Sequence, residues 1–368
     1  MTEKIPETTT DPAVPKSKAA ERFVTLDVMR GFVMLALSWG LIGRDALDQQ
    51  PAWAWLGQQL HHVKWTGLAF WDMIQPFFWF VVGAALPFAR ARRIKTGEPR
   101  SAMLRHSLWR AVKLVLVGQI LLSIQISKPV FNSHETLTQL AACYLLCVLI
   151  FELPLRGQVL AAAGLMALNW GLYQVFPGSA GPFSPADNVG VVIDRAVFGL
   201  DSAGRWVTIY FIGSAVSMLI GAWAGTFLLG PKTRQAKTKI LAAAGAGGLA
   251  LGLILSPFNP VMQKTWTASY TFLTSGIVVL VLAALFWTLD VKGWKKAAYP
   301  LVVVGMNGIF FYALSQALGA WVDQSLAVFT HRFAFAGALA PLLQPTAAVG
   351  LMWYVCLWLY KRKIFFKL

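Results

Sequence analysis

Ten stretches of about twenty apolar residues each, separated by short charged or Pro/Gly-containing breaks, constrain this chain more than any other feature. They fall near 24–43, 67–89, 108–127, 137–154, 158–176, 207–229, 239–257, 267–289, 299–318 and 338–360. A helix needs roughly 20 apolar residues to cross the hydrocarbon core of a bilayer, because each residue rises only about 1.5 Å. The pattern predicts an all-α polytopic membrane protein, a bundle of about ten transmembrane helices. The fourth and fifth runs are the closest neighbours, parted by Pro154 and by Leu155, Arg156 and Gly157.

Charge supports this reading and sets an orientation. Only 13% of the 368 residues are charged, about half of what a soluble domain carries. The net charge of +16 could suggest nucleic acid as a partner, but the basic residues are concentrated in the breaks between apolar runs and at the run ends. With the N-terminus placed in the cytoplasm, 24 of the 32 Lys and Arg residues fall on that same side. Cytoplasmic loops concentrate such residues, so both termini are expected to be cytoplasmic. Sixteen tryptophans suit a chain anchored at two bilayer interfaces. Cys143, Cys147 and Cys356 lie inside apolar runs with no metal-binding or disulfide spacing. No metal is expected. Residues 1–20 read as a polar, disordered cytoplasmic tail without a cleavable signal, and 21–368 as one transmembrane domain. Neither a phosphate-binding glycine loop, nor a dinucleotide fingerprint, nor a zinc His-Glu-x-x-His is present.

Ionisable side chains inside apolar runs are costly and point to function. Asp27 and Arg30 stand three residues apart in the first run, on one helix face. They make either a structural ion pair or an anion site, since the Arg fork suits phosphate. His61 and His62 precede the second run at its outer mouth, and Asp72 lies one to two turns inside it. An imidazole beside a carboxylate is the minimal general-base arrangement. Lys264, Trp266 and Ser269 mark the outer mouth of the eighth run, where Lys264 reads equally as an anion holder and as an interfacial anchor. Asn307, among glycines in the ninth run, reads first as helix-packing glue. Gln139, and His134 with Glu135 before it, are polar residues of the same kind with less to decide between the two readings.

In these places the chain resembles the heparan-alpha-glucosaminide N-acetyltransferase family of transmembrane acyltransferases and its bacterial relatives. The resemblance covers about residues 22–315. It rests on six blocks in order: Arg22 through Gly31, with Thr25 where the family has Ser; His62 through Leu68; Asp72 through Gly83; Leu137 through Leu145, with Leu140 where the family often has Arg; Pro260 through Tyr270; and Gly305 through Asn307.

The resemblance implies an acetyl group carried from cytoplasmic acetyl-CoA to the amine of a sugar on the far side of the membrane. His62 matches the family's active histidine, as general base or as acyl acceptor, and Asp72 its neighbouring acid. Arg30, beside Asp27 in the same binding region, and the basic loop 90–113 are expected to bind the donor, the basic groups holding its phosphates. Lys264 or Asn307 would stabilise the oxyanion, with His61, Gln139, Trp266 and Ser269 close to substrate. Lysosomal members carry a further lumenal domain at the N-terminus, so the expected acceptor here is a small amino sugar or cell-wall saccharide. The expected location is a bacterial inner membrane, with the site facing the periplasm, and such enzymes are commonly homodimers. The residues on their own also suit a sugar or amino-sugar permease, since ten spans with midplane polar groups fit a transporter.

Overall fold

A computed structural model describes residues 23–366; the tail expected over 1–20 lies outside the described residues. The described residues form helices and connecting loops with no β-strand. The long rods are α1 (Val24–Asp48), α3 (Ile74–Lys95), α4 (Arg100–Gln125), α5 (Thr136–Phe151), α6 (Leu155–Val175), α8 (Phe211–Leu229), α9 (Arg234–Leu255), α10 (Ala268–Leu285), α12 (Gly308–Thr330) and α13 (Ala340–Lys361). Three short helices lie between them: α2 (Ala54–Gln59), α7 (Val189–Ile193) and α11 (Tyr299–Met306).

The chain is an all-α polytopic membrane protein. Seven helical pieces are long and apolar enough to cross a bilayer, and the last of these, Gly308–Lys361, is two rods joined at a sharp bend. Two of the ten expected spans fall short of that measure. α5 has 16 residues, about 24 Å of rise against a hydrocarbon core of about 30 Å. α6 carries Arg156, Gln158 and Asn169 within its 21 residues. Both pack against α8 and α5 against α4, so protein takes the place of lipid along much of α5, while α6 buries one stripe, Gln158, Ala162, Met166, Asn169 and Tyr173.

The ninth run differs most from expectation. It is broken at Asn307 into α11 and α12, and α12 continues to Thr330. A break at membrane depth frees backbone groups that lipid cannot satisfy. Here the Asn307 side chain brackets the C-terminal segment. Its Nδ2 donates to the Ile364 carbonyl at 3.1 Å, and its Oδ1 accepts from the Phe366 amide at 3.0 Å. Phe366 stacks on Phe310, centroids 5.0 Å apart.

Glycines let the rods approach to backbone contact. A Cβ on Gly83 of α3 would lie 1.9 Å from the Met218 carbonyl oxygen of α8, and one on Gly221 of α8 would lie 2.2 Å from that of Phe80. Without water to drive helices together, such close van der Waals contact carries the association.

The loops gather at two ends. Arg90 reaches Glu152 at 3.1 Å and Arg234 reaches the Asp290 carbonyl at 2.7 Å, so the basic loops share one end. At the opposite end the 60–72, 183–210 and 256–267 connections interlock. The Gly67 amide donates to Val261, Val207 to Lys264, and the Trp65 indole to Phe183.

The α3–α8 seam yields a test. Gly221→Val forces its methyl groups into the Phe80 backbone, and overpacking of this kind costs about 1–3 kcal/mol or more. The variant is expected to unfold at a clearly lower temperature in detergent, whereas Gly247→Ala, with nothing within 4 Å, should melt like wild type.

Candidate active site

α1 ends at Asp48 and the chain turns through α2 before returning to α3. The return carries His61 and His62 and ends in a short 3₁₀ turn, Trp71–Met73, from which α3 starts. Gly67 adopts φ +118°, which no other residue type takes readily. This turn sets Asp72 at the head of α3, where the helix dipole favours a negative charge.

Asp72 is fully buried. Its Oδ2 accepts the Ala69 amide at 2.9 Å and the Val63 amide at 3.4 Å. Its Oδ1 lies 2.7 Å from His62 Nδ1. With Asp72 as the acceptor, Nδ1 carries the hydrogen and donates it in a hydrogen bond, which leaves the Nε2 lone pair free. Tyr270, itself buried, donates to the Asp72 carbonyl at 2.6 Å and fixes the turn from beneath.

His62 stands on the wall of a cavity of about 640 Å³, within the range of small-molecule sites. Trp206 meets the imidazole edge-on at 4.7 Å. The floor is reached through Val33, Met34 and Leu37 of α1, with Tyr312 and Gln316 of α12 beside them. Gln263, buried, also lines it; its Nε2 donates to Gln75 Oε1 at 3.1 Å while its Oε1 has no partner among the described residues. A buried acceptor without a partner is costly, and the Gln263–Gln75 contact therefore fixes a polar stretch of the wall rather than relaxing against its neighbours.

The two histidines are thereby distinguished. His61 turns away to bond Asp48 at 2.6 Å, is exposed, and is not on the cavity wall. Of the residues singled out by sequence as catalytic or binding, His62 lines the cavity and Asp72 supports it from behind.

The others have different employment. Lys264 donates to the carbonyls of Lys64 and Gly204, the latter at 2.9 Å, and sits between the rings of Trp65 and Trp206 at 5.4 and 5.7 Å. Burial pulls its pKa down, partly offset by the Asp72 charge. It staples three loops and steadies the Trp206 that faces His62. Trp266 is buried in a ring cluster with Tyr210 at 5.5 Å and Trp79 at 6.1 Å, its indole bonded to Ser217. Ser269 is buried in the first turn of α10, 3.2 Å from Thr267. Gln139 ties Ser133 to Thr208 through its amide.

Asp27, Arg30 and Asn307 lie toward the basic end. Arg30 reaches Asp27 at 3.4 Å and the Gly305 carbonyl at 3.2 Å. The eighteen residues from Arg30 to Asp48 span about 27 Å of helix, so this cluster and the His61–Asp48 contact occupy opposite ends of α1. Arg30 nevertheless shares a helix face with Val33, Met34 and Leu37, one turn from the cavity floor.

Three further groups on the wall carried little or no sequence signal. Asp201 and Arg205 come from the long 177–206 connection. His134 lines the cavity as well, and its Nε2 lies 2.9 Å from Asp194 Oδ2. Burial pushes the Asp194 pKa upward, but hydrogen bonds from His134 and Thr208 outweigh it and hold the carboxyl below its usual range. Glu135 caps α5 by accepting from Leu137 and Thr138 at 2.9 and 2.8 Å, and burial raises its pKa.

Fold and site together define a polytopic helical membrane protein with an imidazole–carboxylate pair on a cavity at the end away from its basic loops. No family model matches the chain. It is similar to the heparan-alpha-glucosaminide N-acetyltransferase of Homo sapiens, 24% identical over 382 aligned residues, covering 83% of this chain and 55% of that protein. The Mus musculus enzyme of the same name is 23% identical over 384 residues, again 83% of this chain and 56% of the relative. The chain spans about half the length of these curated relatives. Similarity at this level supports a distant family relationship.

Asp72 is the most exacting position. Asp72→Ala leaves the Ala69 and Val63 amides and His62 without their acceptor. Unsatisfied buried donors cost about 1–3 kcal/mol each, so Asp72→Ala should unfold well below wild type in a detergent melt. Asp72→Asn retains one acceptor oxygen and should fall between.

Proposed function

We propose that this protein is a membrane-embedded acetyltransferase that moves an acetyl group from cytoplasmic acetyl-CoA to an amino sugar or related saccharide at the cavity. The observation that carries the reading is the His62–Asp72 contact of 2.7 Å opening on a cavity of about 640 Å³. The distant relationship to two N-acetyltransferases supplies the reaction class.

The acceptor amine must lose a proton as its nitrogen bonds the acetyl carbon. His62 Nε2 takes that proton, and Asp72 orients the ring and stabilises its charged form, an arrangement worth about 10²- to 10⁴-fold in rate. Trp206 closes against the ring and excludes water on that side. The thioester arm of the donor approaches from the basic end along α1, and Arg30, one turn below the cavity, meets the donor's phosphates or the polar part of its arm. Lys264 serves the site by holding Trp206, and Asn307 by holding the helix break, so neither is needed as an oxyanion donor. The setting that fits is a bacterial inner membrane, with His62 toward the periplasm.

The test is purified protein in liposomes with labelled acetyl-CoA and glucosamine. Wild type is expected to place label on the sugar. His62→Ala should lose at least about 10²-fold while still binding the donor. Sugar accumulating inside the liposomes without any acetylation would overturn the proposal in favour of a permease.

A further inference from the structure

The cavity holds a second imidazole–carboxylate pair, built like the first. Asp194 is fully buried, as Asp72 is. The Thr208 amide lies 3.1 Å from each of its oxygens, just as backbone amides hold Asp72. The carboxylate holds one imidazole nitrogen of His134 at 2.9 Å. The His134 backbone is fixed as well. Its amide donates to Asn132 Oδ1 at 2.8 Å, and neighbouring Ser133 bonds Thr208 at 2.6 Å. With Nε2 engaged, Nδ1 has no protein partner among the described residues, and the ring lines the same cavity as His62.

Resting on the acetyltransferase reading, we propose that His134, positioned by Asp194, is the base that takes the first proton from the acceptor's ammonium. The chemistry calls for two proton acceptors. An alkyl ammonium has no lone pair and cannot attack a thioester. One proton must leave before the nitrogen can react, and a second leaves as the C–N bond forms and the C–S bond breaks. The first goes to His134 Nδ1 and out through the open mouth of the cavity to solvent. The second goes to His62 Nε2 and then to the departing thiolate, giving CoA thiol, the acetamide and one released proton.

The other charged groups do not compete for this task. Glu135 is spent capping α5, and Asp201 is bonded to Arg195 at 2.9 Å. Arg205 on the same wall is a permanent cation. His62 is oriented by Asp72 for the later proton. Glu135, Asp201, Arg205, His62 and the Tyr312 phenol are the charged or titratable groups that share the cavity with His134, and Asp194 is the one hydrogen-bonded to its ring.

His134→Gln and Asp194→Asn test this, each assayed across pH with two acceptors. Glucosamine is largely an ammonium at neutral pH; methoxyamine is already neutral there and needs no first deprotonation. With glucosamine at pH 6, where ammonium outnumbers free amine by about 10²-fold, His134→Gln is expected to lose kcat/KM by up to about that factor. The loss should shrink as pH rises and the sugar amine deprotonates itself. With methoxyamine the variant should stay within a few-fold of wild type, while His62→Ala loses both acceptors. Asp194→Asn should show the same pattern with a smaller loss. Equal loss on both acceptors with no alkaline recovery would make the pair purely structural and overturn the assignment. An unchanged His134→Gln on glucosamine would overturn it too. Wild type inert toward both acceptors would instead bring down the acetyltransferase reading itself.

Discussion

A carboxylate without access to water must find every partner within the protein, and the site end of this molecule is organised around two such groups. Asp72 draws in His62 and the amides of Val63 and Ala69; Asp194 draws in His134 and the amide of Thr208. Removing either acid strands several donors at once. The arrangement therefore fixes loops that the helices alone would leave free. It also explains why the imidazoles are so well placed: each ring is held by a partner that cannot turn toward solvent instead. Lys264 extends the network, joining the carbonyls of Lys64 and Gly204 and lying between two indoles.

The same scarcity of partners shapes the basic end. The α11–α12 break frees backbone groups, and Asn307 answers by binding the chain at Ile364 and Phe366. Arg30 donates to the Gly305 carbonyl next to that break. A Cβ on Gly305 would stand 1.9 Å from the Asp27 carbonyl. The Asp27–Arg30 pair thus sits against the seam between α1 and α11 and ties the two helices together.

Much of the fold was legible because apolar runs of about twenty residues have few other uses. The weaker elements were those whose spans depend on neighbours. α5 is short because protein covers it, and α12 is long because Asn307 permits a broken start. His62 and Asp72 were legible because they lie ten residues apart, close enough for one turn to bring them together. His134 and Asp194 are sixty residues apart, and no local pattern announces their meeting. Polarity at the mouth of the eighth run signalled a special place without revealing direction. Lys264, Trp266 and Ser269 all lie there, yet each faces the packing that supports the site. Gln263, beside them in sequence, is the one that lines the cavity. Side-chain direction at an irregular loop is decided by tertiary packing, as the positive φ of Trp266 illustrates.

The separation of the two ends carries a consequence for how the proposed donor is used. About 27 Å of helix lies between Arg30 and the outer end of α1, but the cavity already descends to Val33 and Met34. A donor anchored near Arg30 therefore has only about one helical turn to cross before its reactive end enters the space that His62 overlooks. An acceptor entering from the opposite end meets His134, Asp201 and Arg205 on the wall. Two reactants that approach from opposite faces need not exchange places, and neither has to traverse the bundle. The chemistry is confined to where their paths overlap, and both imidazoles stand on the wall of that shared space.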